Sequence, residues 1–168
     1  MRLRTETPAD HQRICDLTQE AFAPMPYADG DEGYAIGRMR EAGDLTLSMV
    51  AEEAGTVVGH VAFSPIAIAG LNDGWFALGP IAVDPAHQGK GIGRALIEGG
   101  LAALKAREPK AKGVVLTGDP ALYTRFGFTS DGRLRYGGLH PRYILHRTFD
   151  ASTPVPTGEV RFVDGLET

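Results

Sequence analysis

The chain has 168 residues, 43% hydrophobic and 23% charged, enough to bury a substantial core in one domain spanning residues 1–168. A formal net charge of −4 argues against a nucleic-acid partner, which is usually met by a basic stripe. A single cysteine excludes an intrachain disulfide and a cysteine-rich metal site, and no apolar run approaches the ~20 residues of a membrane span or forms a signal-peptide core, so the expected location is cytoplasmic with no membrane partner.

Leu3 and Thr5 alternate with charged residues, as in a short first strand. Thr7-Pro8-Ala9-Asp10 is a helix start, with a threonine cap, proline in the first helical position and an acid in the first turn. Ile14, Leu17, Ala21 and Phe22 then share one helical face. Cys15 lies beside that face and reads as inert packing. The segment APMPYADG, Ala23–Gly30, breaks the helix with two prolines and a glycine. A second helix is expected over roughly Asp31–Glu41, opened by Glu32. Met25 and Tyr27, in the connector between the helices, either line a substrate pocket or touch the core.

From Thr46 the hydrophobic period changes. TLSMVAEE and GTVVGHVAFSPIAIAG are β-rich runs joined by a tight turn near Glu53-Ala54-Gly55. Gly59 marks a bulge or a close approach, and Pro65 an irregularity or an edge. His60, a lone histidine in a strand with no partner visible in sequence, reads as structural. A third run covers Trp75–Val83. Ile92, Ala95, Leu96, Gly99 and Ala103 keep helical spacing up to Pro109. Gly113–Thr117 is an apolar strand suited to a sheet interior. Asp119-Pro120 repeats the cap-then-proline start and opens a short helix through Tyr123 and Phe126, closed by Gly127. Extended segments follow at Phe128, at Tyr143–Thr148 and at Val160–Val163, the last available to an edge of its own chain or of a second copy. The order is strand, two helices, three strands, helix, strand, helix, strand. It gives a mixed α/β domain on one sheet and lacks the strand–helix alternation of a doubly wound fold.

Function turns on the stretch ALGPIAVDPAHQGKGIGRAL, Ala77–Leu96. The first turn of a helix leaves backbone N–H groups without acceptors, at the positive end of the helix dipole. Glycines at alternate positions let a bulky anion approach those groups, so Gln88–Gly93 reads as a phosphate-binding loop. The dinucleotide fingerprint fails at Arg94, where it needs a third glycine. The P-loop pattern fails at Gly91, where it needs a magnesium-binding hydroxyl.

Gln88-Gly89-Lys90-Gly91-Ile92-Gly93 resembles instead the Gln/Arg-x-x-Gly-x-Gly/Ala signature of the GNAT acetyltransferase superfamily. LGPIAV before it, Asp84-Pro85, and YTRFGF at Tyr123–Phe128 stand in the order of that family, and together they look like its YhbS-like subgroup. The resemblance implies an α/β (α+β) fold with a mixed, mostly antiparallel central sheet, splayed central strands and about four flanking helices. It implies acetyl-CoA as co-substrate, no metal, and direct acetyl transfer to a small-molecule or peptide amine. The pyrophosphate would lie on Gln88, Gly89, Lys90, Gly91, Ile92, Gly93 and Arg94, and the pantetheine arm would pair with Ile81, Ala82 and Val83. Tyr123 takes the place of the family's thiolate-protonating tyrosine, and homodimers are frequent among relatives. Two departures stand out. Trp75–Val83 holds no carboxylate where many relatives place a glutamate base, which leaves a water relay or Glu32; and Asp119 replaces a common asparagine and reads as a helix cap. The alternative to an enzyme is a catalytically silent acetyl-CoA- or CoA-binding regulatory module.

Overall fold

The computed structural model describes residues 1–167. Its strands are β1 (Arg2–Thr5), β2 (Leu47–Glu53), β3 (Thr56–Pro65), β4 (Ala67–Ile68), β5 (Trp75–Val83), β6 (Gly113–Thr117), β7 (Leu134–Arg135), β8 (Ile144–Thr148) and β9 (Gly158–Arg161). The helices are α1 (His11–Phe22), α2 (Glu32–Ala42), α3 (Ile92–Arg107), α4 (Pro120–Tyr123) and α5 (Asp164–Glu167). Six strands form the main sheet in the order β1-β2-β3-β5-β6-β8, antiparallel throughout except for the β5–β6 pair.

Alternation along β3 decides what each face meets. Val61 and Phe63 pack with Leu96, Leu101 and Leu104 of α3. On the opposite face Ala62 packs with Ile14 and Leu17 of α1 and Ile36 and Met39 of α2. The β2–β3 hairpin closes through Ala54 (φ 50°) and Gly55 (φ 81°), two positive values that match the twist of the strands they join.

Helix α3 packs closely on the sheet where a glycine on one side receives a large side chain from the other. A Cβ at Gly59 would sit 2.8 Å from Leu96 Cδ1 and 3.0 Å from Ile92 Cγ2, and one at Gly100 2.8 Å from the Phe63 ring. Gly59 thus serves both expectations, since the β2–β3 register also shifts beside it, between Ala51 and Glu52. Leu96 is fully buried and has little room to yield. Gly59→Ala is therefore expected to cost about 1–3 kcal/mol by overpacking. The check is the denaturant midpoint, and an unchanged midpoint would mean that α3 rides up freely.

A second, three-stranded sheet, β4-β9-β7, was not anticipated. Pro65-Ile66 ends β3, and the chain turns into β4, which pairs with β9. The C-terminal strand therefore pairs within its own chain. Ile68, Leu134 and Val160 of this sheet close a cluster with Trp75, Ala77 and Val115 of the main one. No helix among the described residues is long and apolar enough to cross a membrane.

The main sheet opens at its centre. β5 pairs with β6 only through Trp75↔Gly113, Phe76↔Val114 and Ala77↔Val115. Its later half stays with β3, through Val61↔Ile81, His60↔Ala82 and Gly59↔Val83. Gly79 and Pro80 are the extra residues opposite Ala62, where the register shifts. Beyond this kink β5 and β6 diverge.

Candidate active site

The divergence leaves the β6-side edge of Ile81, Ala82 and Val83 without a neighbouring strand. Backbone groups on such an edge need partners, and an extended amide-bearing ligand supplies them. At the end of this edge the turn into α3 is fixed from several sides. Asp84 accepts a hydrogen bond from the Ala86 N–H (3.1 Å), and Gln88 Nε2 donates to the Val83 carbonyl (3.2 Å). Arg13 of α1 donates to Asp84 Oδ2 (3.1 Å) and to the Val57 carbonyl (3.0 Å).

The loop then runs through Gly89 (φ 80°) and Gly91 (φ 85°), the latter capping α3. A Cβ on either would meet no protein atom within 4 Å. Crowding inside the protein therefore does not demand these glycines. Left-handed backbone does, and so would a ligand approaching from outside. Ile92 is buried and anchors the loop from below, so only its backbone can serve a ligand.

Lys90 and Arg94 are exposed and have no carboxylate partner among the described residues. Arg94 lies over the Phe126 ring at 5.0 Å, and Arg125 over the same ring at 5.7 Å. Arg125 thus adds a second cation beside the Phe126 ring, a pairing that the YTRFGF pattern alone does not express.

Tyr123 ends α4, whose start is capped by Asp119 accepting from the Ala121 N–H (2.9 Å). Its ring meets Phe128 edge-on at 6.2 Å and Phe126 at 6.4 Å. It also presses on Gly118, where a Cβ would lie 2.5 Å from Tyr123 Cε2, so Gly118 makes room for the ring. Burial pushes the Tyr123 phenol up to about 12, with a smaller contribution from Tyr27. The phenol therefore holds its proton throughout the neutral range. Tyr27 (74% exposed) and Met25 (37%) lie at the surface and do not fill the core.

Glu32 is otherwise engaged. Its carboxylate accepts from the N–H groups of Asp29 (2.7 Å) and Gly30 (3.2 Å) and so shapes the connector. Cys15 is half-buried, and burial pushes its thiol up, away from reactivity.

His60 is fully buried, with Nε2 2.7 Å from the Ser48 hydroxyl. Ser48 in turn bonds to Glu6, which Arg40 grips with Nε and Nη2 at 2.8 and 2.9 Å. Burial holds the His60 imidazole down at about 4, against an ordinary value of 6.5. The unfolded chain then takes up the proton more readily, so the stabilisation is complete above pH 6.5 and is lost as pH falls from 6.5 toward 4. The thermal midpoint is expected to fall across that window, and less steeply in His60→Gln. Parallel slopes in melts of the two proteins would remove His60 from the acid response.

Comparisons with known proteins agree with this geometry. The acetyltransferase (GNAT) domain family matches residues 44–130. The chain is 36% identical over 167 residues to the uncharacterized N-acetyltransferase YhbS of Escherichia coli strain K12, covering 96% of each. It superposes on the crystal structure of E. coli YhbS in complex with CoA with a TM-score of 0.89 at 31% identity, covering 99% of this chain and 92% of that one. A GNAT family acetyltransferase from Brucella melitensis, in complex with acetyl-CoA, gives a TM-score of 0.85 at 41% identity, covering 98% and 97%. Sequence and fold thus coincide over almost all of the residues, and the chain belongs to the GNAT family of N-acetyltransferases.

Proposed function

We propose that the protein transfers the acetyl group of acetyl-CoA directly to the amine of a small molecule or peptide. What supports this reading is a strand edge without a neighbouring strand among the described residues, a cationic glycine loop at its end, and a tyrosine that packs with Ile81 and Val83 against the same core cluster. Relatives from B. melitensis and E. coli that bind acetyl-CoA and CoA support it.

In this reading the backbone N–H groups from Gln88 to Arg94 hold the pyrophosphate, reinforced by Lys90, Arg94 and Arg125. Ile81, Ala82 and Val83 pair with the pantetheine amides, and an N–H of the strand polarises the thioester carbonyl. The amine attacks that carbonyl, the C–N bond forms as the C–S bond breaks, and Tyr123 gives its proton to the departing thiolate. The acceptor enters beside the α1–α2 connector, past Met25 and Tyr27. Glu32 serves in this reading to shape the connector, through the N–H groups of Asp29 and Gly30. The single cysteine and the acidic balance fit a cytoplasmic enzyme without a nucleic-acid partner.

The test is to incubate the purified protein with acetyl-CoA and a panel of polyamines, aromatic amines, amino acids and lysine peptides. Thiol release and acetylated product are read together. Cofactor binding without turnover on any amine would move the assignment to a silent module.

A further inference from the structure

Acetylation of an amine sheds a proton, and the strand beside the gap, Trp75–Val83, holds no carboxylate to receive it, while Glu32 is tied to the backbone of the connector. The face of the sheet that carries α1 and α2 does hold such a group. His60, Ala62 and Ser64 share that face of β3 by alternation, and Ala62 stands opposite the kink at Gly79-Pro80. His60 and Ser64, on either side of it, are both fully buried, and His60 Nδ1 and Ser64 Oγ have no hydrogen-bonding partner among the described residues. Buried polar atoms are almost always paired, so two orphans flanking one kink call for an explanation.

The hydrogen bonds fix which nitrogen of His60 is bare. Glu6 is held by Arg40, by His11 Nε2 at 2.9 Å and by the Ser48 hydroxyl. An ionised carboxylate only accepts, so Ser48 gives its one proton to Glu6. Ser48 Oγ then accepts from His60, which places the imidazole proton on Nε2 and leaves Nδ1 a lone pair. The charged groups around the ring are Glu6, Asp10, His11 and Arg40, while β5 contributes none.

We propose that His60, oriented by Ser48 and Glu6, receives the acceptor's proton through water that reaches the kink between His60 and Ser64. This rests on the acetyltransferase reading. As the amine nitrogen bonds to the carbonyl carbon, its proton passes through water to Nδ1. His60 keeps its Nε2 proton on Ser48, whose hydroxyl stays on the Glu6 carboxylate, so the Glu6 charge offsets the imidazolium, and the sulfur takes the Tyr123 proton as the C–S bond breaks. Thioester and amine become amide and thiol. After the products leave, Nδ1 returns its proton through the same water, which restores the starting tautomer, and the Tyr123 phenolate recovers one. His60 thus acts through water as a positioning and relay residue.

Two measurements decide the matter. Nitrogen-15 spectra of histidine-labelled protein bound to CoA, with His60 assigned by its loss in His60→Gln, should show a bare Nδ1 and a protonated Nε2. A protonated Nδ1 overturns the proposal, whatever the kinetics. With acetyl-CoA and the amines of the panel, His60→Gln and Ser48→Ala should each lose roughly 100-fold in kcat. KM for acetyl-CoA and calorimetric CoA affinity should stay within about twofold, and the acid limb of the pH–rate profile should shift. Turnover within a few-fold of wild type in either variant also overturns it. Failure of the wild-type chain to bind CoA would sink the acetyltransferase reading instead, a result distinct from both.

Discussion

Gly91→Glu is expected to weaken acetyl-CoA binding by roughly 100-fold or more, about 2.8 kcal/mol. The substitution does two separable things. Any L-residue at φ 85° pays a left-handed backbone penalty of about 1–2 kcal/mol, which falls on folding. A Cβ there meets no protein atom, so the fold accepts it, and the carboxylate then projects where the pyrophosphate is expected. Gly91→Ala carries the first effect without the second and is the control. In calorimetric titration Gly91→Ala should bind far more tightly than Gly91→Glu, and equal affinities would point to the backbone alone. Undiminished affinity in Gly91→Glu would remove the loop from the donor site.

Tyr123→Phe is expected to lower kcat by about 10²- to 10⁴-fold, the usual range for loss of a general acid, with CoA affinity within about twofold. The ring contacts with Phe126, Phe128 and Gly118 survive the change, so the variant should fold as wild type does. With the phenol at about 12, no kinetic titration of Tyr123 should appear near neutral pH. A thiol-release assay with acetyl-CoA and an active amine checks both points. Wild-type turnover in Tyr123→Phe would confine the tyrosine to packing.

What was legible in the chain was local. The glycine loop could be read because its conformation is written into consecutive residues, and the β5 kink was foreshadowed by Gly79-Pro80. The long period-2 runs located β2, β3 and β5 for the same reason. What escaped depends on residues far apart in sequence. His60 looked solitary because its partners are Ser48, on the next strand, and Glu6, between β1 and α1. Gly113 gave no hint that a Cβ would lie 2.5 Å from the Arg147 carbonyl and 2.7 Å from Trp75. β4 and β7 are two residues each, too short for any period to register. Arg125 and Arg94 are linked through the Phe126 ring, a relation spanning some thirty residues that no local pattern expresses.

The opening between β5 and β6 sets a filter by width as well as by chemistry. A strand edge on the outside of a sheet invites other proteins to extend it, and chains usually blunt such edges with charge or proline. Here the unclaimed edge lies inside a wedge closed at one end by three residue pairs. A foreign sheet cannot follow into the narrowing end of such a wedge, whereas a single thread of linked amides can. The sheet is thereby left incomplete for one slender visitor, without becoming adhesive to everything else.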